Sequence, residues 1–425
     1  MFTDTYTKAQ NKIRRLHQTF KRLPFGPDFK KLCLIFTLWA CLIIGLSYFA
    51  TNELHVISDY ESHAVIQAND LPDIKAPAYL AGLVRWDSEW FLDIALHGYH
   101  PDHALTSPTD TQAGKPAFFP LYPALLRPAL KLHINPVLAG VGINVLLSFG
   151  ALLFIYLLAL ELLGDRRHAV RASLLFLVFP SSFFLLGVYS EALFCFLSFG
   201  AFYFALKHRW VVANIFLAFC TASRSPAALV AVAVLFEYLH SREFNWRKLD
   251  RSLLAFLIAP AGLLAYMLYL QVSFHDPLAM MHDQKYWSQG FDPNIVRTVW
   301  RQTIGVVRNF ITPGYNQFGT AWTKEWTNLL VYASWLLAIF AGIKLWFSKL
   351  PKSLAIYTLL SALYFVSKGN FISINRYALP LFPIYLVLVQ ALKRREEYAF
   401  SLTLLISCSL MAFGLVEYSV SYWAG

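Results

Sequence analysis

The sequence predicts an all-α protein that crosses a membrane many times, and three observations carry the prediction. Of its 425 residues 57% are hydrophobic and only 14% are charged, against roughly 25% charged in soluble domains. A hydrocarbon core about 30 Å thick needs roughly 20 apolar residues per helix, and such runs recur from Leu32 onwards. Basic residues cluster in alternate connections. We therefore expect a basic cytoplasmic segment over residues 1–31 and one transmembrane domain over 32–425.

The apolar runs predict about eleven spanning helices. The first, near residues 32–50, follows a basic segment and lacks a small-residue cleavage site, so we expect a retained span rather than a signal peptide. The others are predicted near residues 136–163, 172–187, 190–206, 210–223, 226–240, 252–271, 327–347, 353–367, 377–392 and 399–420.

The net charge of +11 follows the connections between spans. If the N-terminus is cytoplasmic, the short inner connections hold most of the lysines and arginines, as the positive-inside rule requires. Membrane orientation then explains the basic charge, and nucleic-acid binding is not needed to account for it. The five cysteines lie singly in apolar runs, so neither a disulfide framework nor a zinc site is predicted.

Two long segments are predicted on the outer side, at residues 51–135 and 272–325. Because long loops on a rigid scaffold carry function more often than short connectors, we expect the working surface there. The second segment is rich in tryptophan, tyrosine and phenylalanine. Such residues favour the headgroup level, which predicts helices lying along the membrane surface.

The stretch RWDSEWFLDIALHGY, residues 85–99, contains three carboxylates. It predicts a helix from about Leu83 to Leu96, since Gly98 follows as a stop signal. At about 100° per residue, Asp87 falls on the apolar arc, whereas Glu89 and Asp93 fall on its polar flank and are expected to be solvated. A carboxylate in apolar surroundings persists with a partner or a purpose. Asp87 is therefore the candidate catalytic residue.

The alternative for Asp87 is structural: it could cap this helix or pair with Arg85. The next segment, KPAFFPLYPALLRPAL, has four prolines, which predict a broken or re-entrant piece lining a cavity, or else a buried connector. Either interpretation makes the segment structural, with Tyr122 and Arg127 available to a ligand.

Four ionisable residues are predicted at the outer ends of spans: Glu191, Arg224, Lys368 and Arg376. Charges within a membrane domain are costly and need a polar cavity or a partner. Each cation alone is explained by snorkelling or ion pairing. Together with Arg85, the cations describe a basic rim around an acidic group, which suits a phosphorylated lipid.

These motifs resemble the PIG-V family of GPI mannosyltransferases and its bacterial relatives, which belong to the GT-C class of membrane glycosyltransferases. The resemblance rests on RWDSEWFLDIALHGY and on AFFPLYP, FPSSFFLLGVYSEALF, ASRS and RYALPLFP. It implies a GT-C-like fold with an acidic catalytic residue in a long first extracytoplasmic loop. Asp87 matches the Trp-Asp position of the family and Glu191 its Tyr-Ser-Glu. Trp90, where eukaryotic members tend to carry histidine, together with the lack of an Asn-x-Ser/Thr sequon, favours a bacterial plasma membrane.

The resemblance further implies a polyprenyl-phosphate sugar as donor, with mannose as the sugar, and a lipid, glycan or protein as acceptor. No cofactor or metal site is predicted. We expect Asp87 to accept the acceptor proton while Arg224 and Arg376 hold the phosphate, with Arg85 or Lys368 as further candidates. Glu191 would orient the acceptor or a basic residue. Trp86 and Trp90 would stack on a sugar or anchor the helix.

Other classes remain open at this point. A transporter or lipid flippase needs ionisable residues within its spans. The only internal candidates are Glu161 and Glu237, and both lie near inner ends. The sequence also shows no pair of matching halves, which many transporters have. A non-catalytic scaffold would not need a basic rim opposite a carboxylate. Protein O-mannosyltransferases and aminoarabinose transferases place an Asp-Glu pair just after the first span, where this chain reads ATNELHVISDYESHAV.

Overall fold

The computed structural model describes residues 26–54, 76–99, 114–287, 289–311, 321–392 and 396–420. Within these ranges every regular element is a helix, which confirms the all-α prediction. The basic segment 1–31 lies almost wholly outside the described residues, as do parts of both long outer segments.

The first half of the chain contributes eight α-helices. They are α1 (Phe29–Glu53), α2 (Asp87–His97), α3 (Leu121–Lys131), α4 (Pro136–Leu163), α5 (Arg166–Leu177), α6 (Glu191–Leu206), α7 (Trp210–Thr221) and α8 (Ala227–Ser241). Short 3₁₀ helices precede or follow several of these, at Ala78–Leu83, Lys115–Ala117, Ser182–Leu185 and Trp246–Lys248.

The second half contributes eight more. They are α9 (Ala261–Phe274), α10 (Ala279–His282), α11 (Ile295–Ile311), α12 (Ala321–Trp346), α13 (Lys352–Val366), α14 (Ile374–Ala378), α15 (Pro383–Leu392) and α16 (Glu396–Ser419). Two further 3₁₀ helices lie at Arg251–Leu257 and Asp283–Trp287.

Five helical segments in the described part of the chain are long and apolar enough to cross a membrane. They are Phe29–Glu53, Pro136–Leu163, Arg251–Phe274, Thr327–Trp346 and Glu397–Ser419. Five shorter apolar helices, α6, α7, α8, α13 and α15, stand where single spans are predicted. The predicted count of about eleven spans is therefore not confirmed.

Proline explains why two predicted spans are interrupted. The span predicted at 172–187 ends as a helix at Leu177, shortly before Pro180, and the one predicted at 377–392 is divided between α14 and α15 around Pro380. Proline removes a backbone donor and disfavours helical geometry in the residue before it. Pro383 instead begins α15, a position at which proline is well tolerated.

Close packing of α4, α6 and α7 forms the centre of the fold. Gly150 in α4 faces the ring of Phe196, and Gly200 in α6 faces the ring of Phe216, so a Cβ atom at either glycine would overlap an aromatic ring. Small residues allow helices to approach closely where lipid provides no hydrophobic drive. This packing fixes the start of α6, where Glu191 lies.

The irregular stretch between α5 and α6 depends on side chains for its backbone hydrogen bonds. Ser148 Oγ donates to the Leu185 carbonyl at 2.8 Å, and Asn144 Nδ2 donates to the carbonyls of Gly187 and, at 3.0 Å, Tyr189. Buried backbone groups require such partners. The polar residues of α4 therefore hold the segment that leads into the candidate site.

Candidate active site

One cavity of about 150 Å³ gathers residues from six separate parts of the chain. It is bounded by the first turns of α2 and α6, the turn between α7 and α8, and the segment from Lys368 into α14. Residues 117–119 of the first predicted outer segment and Gln284, Trp287 and Gln289 of the second complete its wall. Five of the predicted site residues line it: Asp87, Glu191, Arg224, Lys368 and Arg376.

Asp87 is the first residue of α2, not an interior residue of a helix begun at Leu83. The backbone turns at Trp86, where φ is 56° and ψ is −117°. Residues other than glycine rarely adopt this backbone conformation. The Tyr189 hydroxyl accepts a hydrogen bond from the Asp87 N–H at 3.2 Å and donates to the Arg85 carbonyl at 2.9 Å, bracketing the turn. At a helix N-terminus the macrodipole stabilises the ionised carboxylate.

Arg376 links the two acidic residues of the cavity. Its Nη1 lies 2.6 Å from Asp87 Oδ2, and its Nε lies 3.1 Å from Glu191 Oε1. Arg224 also pairs with Glu191 Oε1. Because removing charges from water is costly unless they are paired, this alternating chain of charges explains how Glu191 can be 1% exposed. The alternative pairing of Asp87 with Arg85 is wrong, since Asp87 pairs with Arg376.

Lys368 differs from the two arginines in its partners. Its ammonium donates to Gln289 Oε1 at 3.0 Å and to the Tyr377 hydroxyl at 3.2 Å, and no ion pair of Lys368 occurs among the described residues. Lys368 Nζ also lies 4.3 Å from the ring centroid of Tyr377, and the guanidinium of Arg224 lies 5.2 Å from it. Three cations thus face two carboxylates, an excess positive charge that favours an anionic ligand.

Arg85 and Trp86 do not line this cavity. The Arg85 guanidinium donates to the Ser419 carbonyl through Nε at 3.3 Å and Nη2 at 3.2 Å, and its backbone N–H donates to the Tyr418 hydroxyl. Arg85 therefore ties the turn to the end of α16. Trp86 packs against the hydrophobic core. The predicted phosphate-binding role of Arg85 finds no support in this placement.

Trp90 lies one layer behind the cavity wall. Its ring stacks on Phe118, with centroids 5.8 Å apart and planes 9° apart, and meets Trp287 edge to face at 5.0 Å. Phe118 and Trp287 themselves line the cavity. Tyr122 is fully buried and packs edge to face against Phe91, so the expectation that it is available to a ligand is corrected.

Glu89 and Asp93 do not lie on the solvated face predicted for them. Asp93 accepts from His97 Nδ1 at 2.6 Å and pairs with Lys115, whose side chain is 2% exposed. Burial raises the pKa of Glu89 to about 7, opposed by the nearby charge of Arg85. For Asp93 the reason lies in tertiary packing, because the fold brings Lys115 against its carboxylate.

Several cavity residues were not identified from the sequence. Tyr189 and Ser190 stand directly before Glu191 in the Tyr-Ser-Glu motif, and Tyr377 directly follows Arg376, so the motifs contained a signal for them. Trp287 and Gln289 come from the second long outer segment. There the sequence shows only a general enrichment in aromatic residues, with no motif that points to either position.

The arrangement can hold a phosphate-bearing ligand and place a carboxylate near it. Guanidinium and ammonium groups provide charge-assisted donors, while Phe118 and Trp287 offer aromatic surface at the wall. In the described part of the chain, no group of three or more histidine, cysteine, aspartate or glutamate side chains is placed to hold a metal ion.

Comparison with known proteins gives one family and a set of curated relatives. Residues 33–320 match the family described as Mannosyltransferase (PIG-V). The chain is 37% identical over 217 residues to GPI alpha-1,6-mannosyltransferase 2 of Rattus norvegicus, covering 48% of this chain and 41% of that protein. The protein of the same name from Homo sapiens is 34% identical over 173 residues, covering 38% of this chain and 32% of the relative. The matches thus span less than half the length of these relatives.

Among solved structures, the chain is similar to the Archaeoglobus fulgidus oligosaccharyltransferase in its apo form. The superposition covers 91% of this chain and 56% of the other, with 14% sequence identity and a TM-score of 0.46.

Proposed function

The chain belongs to the PIG-V mannosyltransferase family, and from this premise we propose that it transfers mannose from a polyprenyl-phosphate donor to an acceptor hydroxyl. The protein is an integral membrane protein. The proposal includes a GT-C-like architecture, an active site on the extracytoplasmic side and a bacterial plasma membrane as the location. The acceptor is a lipid, glycan or protein that presents a free hydroxyl.

The observation that carries the proposal is the excess of cations in a cavity that also contains a helix-terminal aspartate. Lys368 and Arg224 both face Tyr377 and are suited to the donor phosphate. Of the two, Lys368 has only neutral partners among the described residues. A phosphate that binds there gains charge-assisted hydrogen bonds without first displacing a carboxylate.

Asp87 takes the role of general base in this proposal. The acceptor oxygen attacks the anomeric carbon and its proton passes to the Asp87 carboxylate. The bond between that carbon and the phosphate oxygen breaks, and the lipid phosphate leaves with the bonding electrons, inverting the anomeric centre. Arg376 holds the carboxylate at 2.6 Å before donor binding. A donor phosphate that draws on the same guanidinium would weaken this pair and leave the carboxylate free to accept the proton.

Charge stabilisation and positioning supply the rest of the catalysis. The phosphate leaving group gains negative charge as the bond breaks, and the pre-placed cations stabilise that charge. Glu191 keeps Arg224 and Arg376 in place through its ion pairs. Phe118 and Trp287, which line the cavity, take over the sugar-stacking role predicted for Trp86 and Trp90. Orientation of the two substrates lowers the barrier further.

The decisive variant is Asp87→Asn, assayed for mannose transfer from a polyprenyl-phosphate donor by the purified protein. Since general-base catalysis contributes roughly 10²- to 10⁴-fold, we expect kcat to fall by at least about 10²-fold. Glu89→Gln is the matched control, because it removes a carboxylate from the same helix without touching the cavity. Activity of Asp87→Asn within about tenfold of the wild type would exclude Asp87 as the base.

A further inference from the structure

Helix α11 presents three different faces, and one of them anchors it to the protein. Ile295 and Val299 pack against the hydrophobic core. The Thr303 hydroxyl lies 3.0 Å from the hydroxyl of Tyr332 in α12. These contacts fix which sides of α11 point away from the protein.

A second face is apolar and exposed. At about 100° per residue its side chains fall within an arc of about 80°, and they are Val296, Trp300, Ile304, Val307 and Ile311. Their exposed fractions are 80%, 67%, 46%, 51% and 71%. Five exposed apolar side chains in one stripe would be unfavourable against water, so this face requires an apolar environment.

A third face, directly beside the apolar stripe, is basic. Arg297, Arg301 and Arg308 fall within an arc of about 40° on the same helical projection, and all three are exposed. The 17 residues of α11 include no aspartate or glutamate. Its only charged residues therefore lie together, at one edge of the apolar stripe.

An apolar stripe flanked on one side by arginines is typical of a helix at a membrane surface. The apolar side chains enter the boundary between headgroups and acyl chains, while the arginines remain at the level of the phosphates. A helix immersed in the hydrocarbon core would not place three arginines together on its lipid side. The exposed tryptophan fits the same level of the bilayer.

The position of α11 brings this surface close to the catalytic cavity. The Asp292 N–H donates to the Ser367 carbonyl at 2.7 Å, and the Gly290 N–H donates to the Lys368 carbonyl at 3.3 Å. Arg301 Nη2 donates to the Gly369 carbonyl at 2.6 Å. The start of α11 is thus hydrogen-bonded to the turn that supplies Lys368 to the cavity.

We propose that α11 lies in the headgroup layer and that Arg297, Arg301 and Arg308 form a binding surface for anionic phospholipids beside the cavity. The charge complementarity commits the surface to anionic headgroups, since α11 carries three exposed arginines and no carboxylate. Asp292, just before the helix, lies 3.4 Å from Arg297, whose side chain nevertheless remains 68% exposed. This lipid-binding surface goes beyond the proposed transfer reaction and does not depend on it. Its effect on the enzyme would be exerted through the Lys368 turn.

The test uses the full chain reconstituted in mixed vesicles of phosphatidylcholine and phosphatidylglycerol, with brominated acyl chains on one lipid or the other. Bromine quenches tryptophan emission at short range, and subtracting the emission of a Trp300→Phe variant isolates the signal of Trp300. The measurement is repeated on a variant that combines Arg297→Gln, Arg301→Gln and Arg308→Gln. A control variant with the same change in charge combines Arg166→Gln, Arg209→Gln and Arg247→Gln, which are exposed elsewhere in the fold.

We expect brominated phosphatidylglycerol to quench Trp300 more than brominated phosphatidylcholine, because each arginine near an anionic surface contributes roughly a fivefold preference. The α11 triple variant should lose the preference and the control should keep it. Absence of quenching by either lipid would show that protein, not membrane, covers the stripe. Equal quenching by both lipids, or a preference that survives in the α11 variant, would also overturn the proposal. No outcome depends on mannose transfer, so the proposed reaction is tested separately.

Discussion

At the scale of single residues, the turn before Asp87 has the most specific geometry in the site. Trp86 holds a positive φ of 56°, which costs of order 1–3 kcal/mol for a residue other than glycine. The Tyr189 hydroxyl contacts the backbone on both sides of that turn. Tyr189 is therefore a positioning residue for Asp87, which it places opposite Arg376.

Tyr189→Phe should lower kcat by up to roughly 30-fold, because two hydrogen bonds worth about 1 kcal/mol each are lost while the ring stays in place. The KM for the donor should change little, since no cation moves. A second substitution, Trp86→Gly, should restore much of kcat in the Tyr189→Phe protein, because glycine adopts a positive φ without strain. The measurement is steady-state kinetics of both variants.

Trp86→Gly also removes the packing of the indole ring. The single variant Trp86→Gly is therefore measured alongside, and the thermal unfolding midpoint of each protein is compared. Wild-type kcat in Tyr189→Phe would contradict the positioning role. So would a double variant that folds but gains no activity over Tyr189→Phe.

Glu89 gives a pH dependence that belongs to the same scale. Burial raises its pKa to about 7 in α2, an 11-residue helix too short to span a bilayer, above its usual value near 4.3 in an unfolded chain. Between these two pH values the folded protein binds the proton and the unfolded chain does not, so stability falls as pH rises through this window. Glu89→Gln cannot lose that proton, and it should therefore unfold at a higher temperature than the wild type at pH 8.

The comparison is made by thermal unfolding of both proteins at pH 4 and pH 8 in the same detergent. The advantage of Glu89→Gln should shrink toward pH 4, where Glu89 is protonated in both states. An advantage of equal size at both pH values would show that it does not come from ionisation.

At the scale of elements, glycine packing within α4 separates two residues that the sequence cannot distinguish. A Cβ atom at Gly150 would lie 2.7 Å from the ring of Phe196, whereas one at Gly142 would meet nothing within 4 Å. Gly150→Ala should therefore destabilise the protein by about 1–3 kcal/mol through overpacking. Gly142→Ala should be neutral or stabilising, because alanine favours helix more than glycine.

Thermal unfolding of the two purified variants checks this prediction. They make the same chemical change in the same helix, so a general effect of alanine would shift both midpoints equally. Equal midpoints would contradict the close approach of α4 to α6.

Sequence reasoning located most helices but not their breaks or their neighbours. Apolar runs identified α1, α4 and α16 within a few residues, because hydropathy is a local property. The start of α2 was missed, since it depends on a hydroxyl from Tyr189, about a hundred residues away. The burial of Glu89 was also missed, because burial depends on the tertiary fold and not on position in the helix.

In the candidate site, too, the sequence predicted which residues carry charge but not where every side chain points. Arg224, Lys368 and Arg376 were selected because cations at outer ends run against the positive-inside bias, and the structure brings all three to one cavity. Arg85 was added because it would complete a basic rim with these cations, but it turns toward α16. Adjacency to a motif does not determine the direction of a side chain.

At the scale of the whole molecule, the distribution of charge predicts an orientation of the fold in the membrane that can be tested directly. His133 lies before α4 on the predicted outer side, and Arg209 lies between α6 and α7 on the predicted inner side; both are exposed. A membrane-impermeant thiol reagent should label His133→Cys, but not Arg209→Cys, in intact cells. Both should be labelled after the membrane is opened, and the unsubstituted chain gives the background from the native cysteines. The opposite pattern in intact cells would invert the topology.

The alternating ion pairs of the cavity also bear on how the chain is made. When α8 has been synthesised, the chain contains the carboxylates of Asp87 and Glu191 but only one cation of the cavity, Arg224. The other two cations, Lys368 and Arg376, follow more than a hundred residues later. A nascent chain therefore carries an uncompensated acid during membrane insertion until α14 is delivered. Completion of the site is coupled to completion of synthesis, so a chain truncated before α14 would lack the ion-pair partner of Asp87.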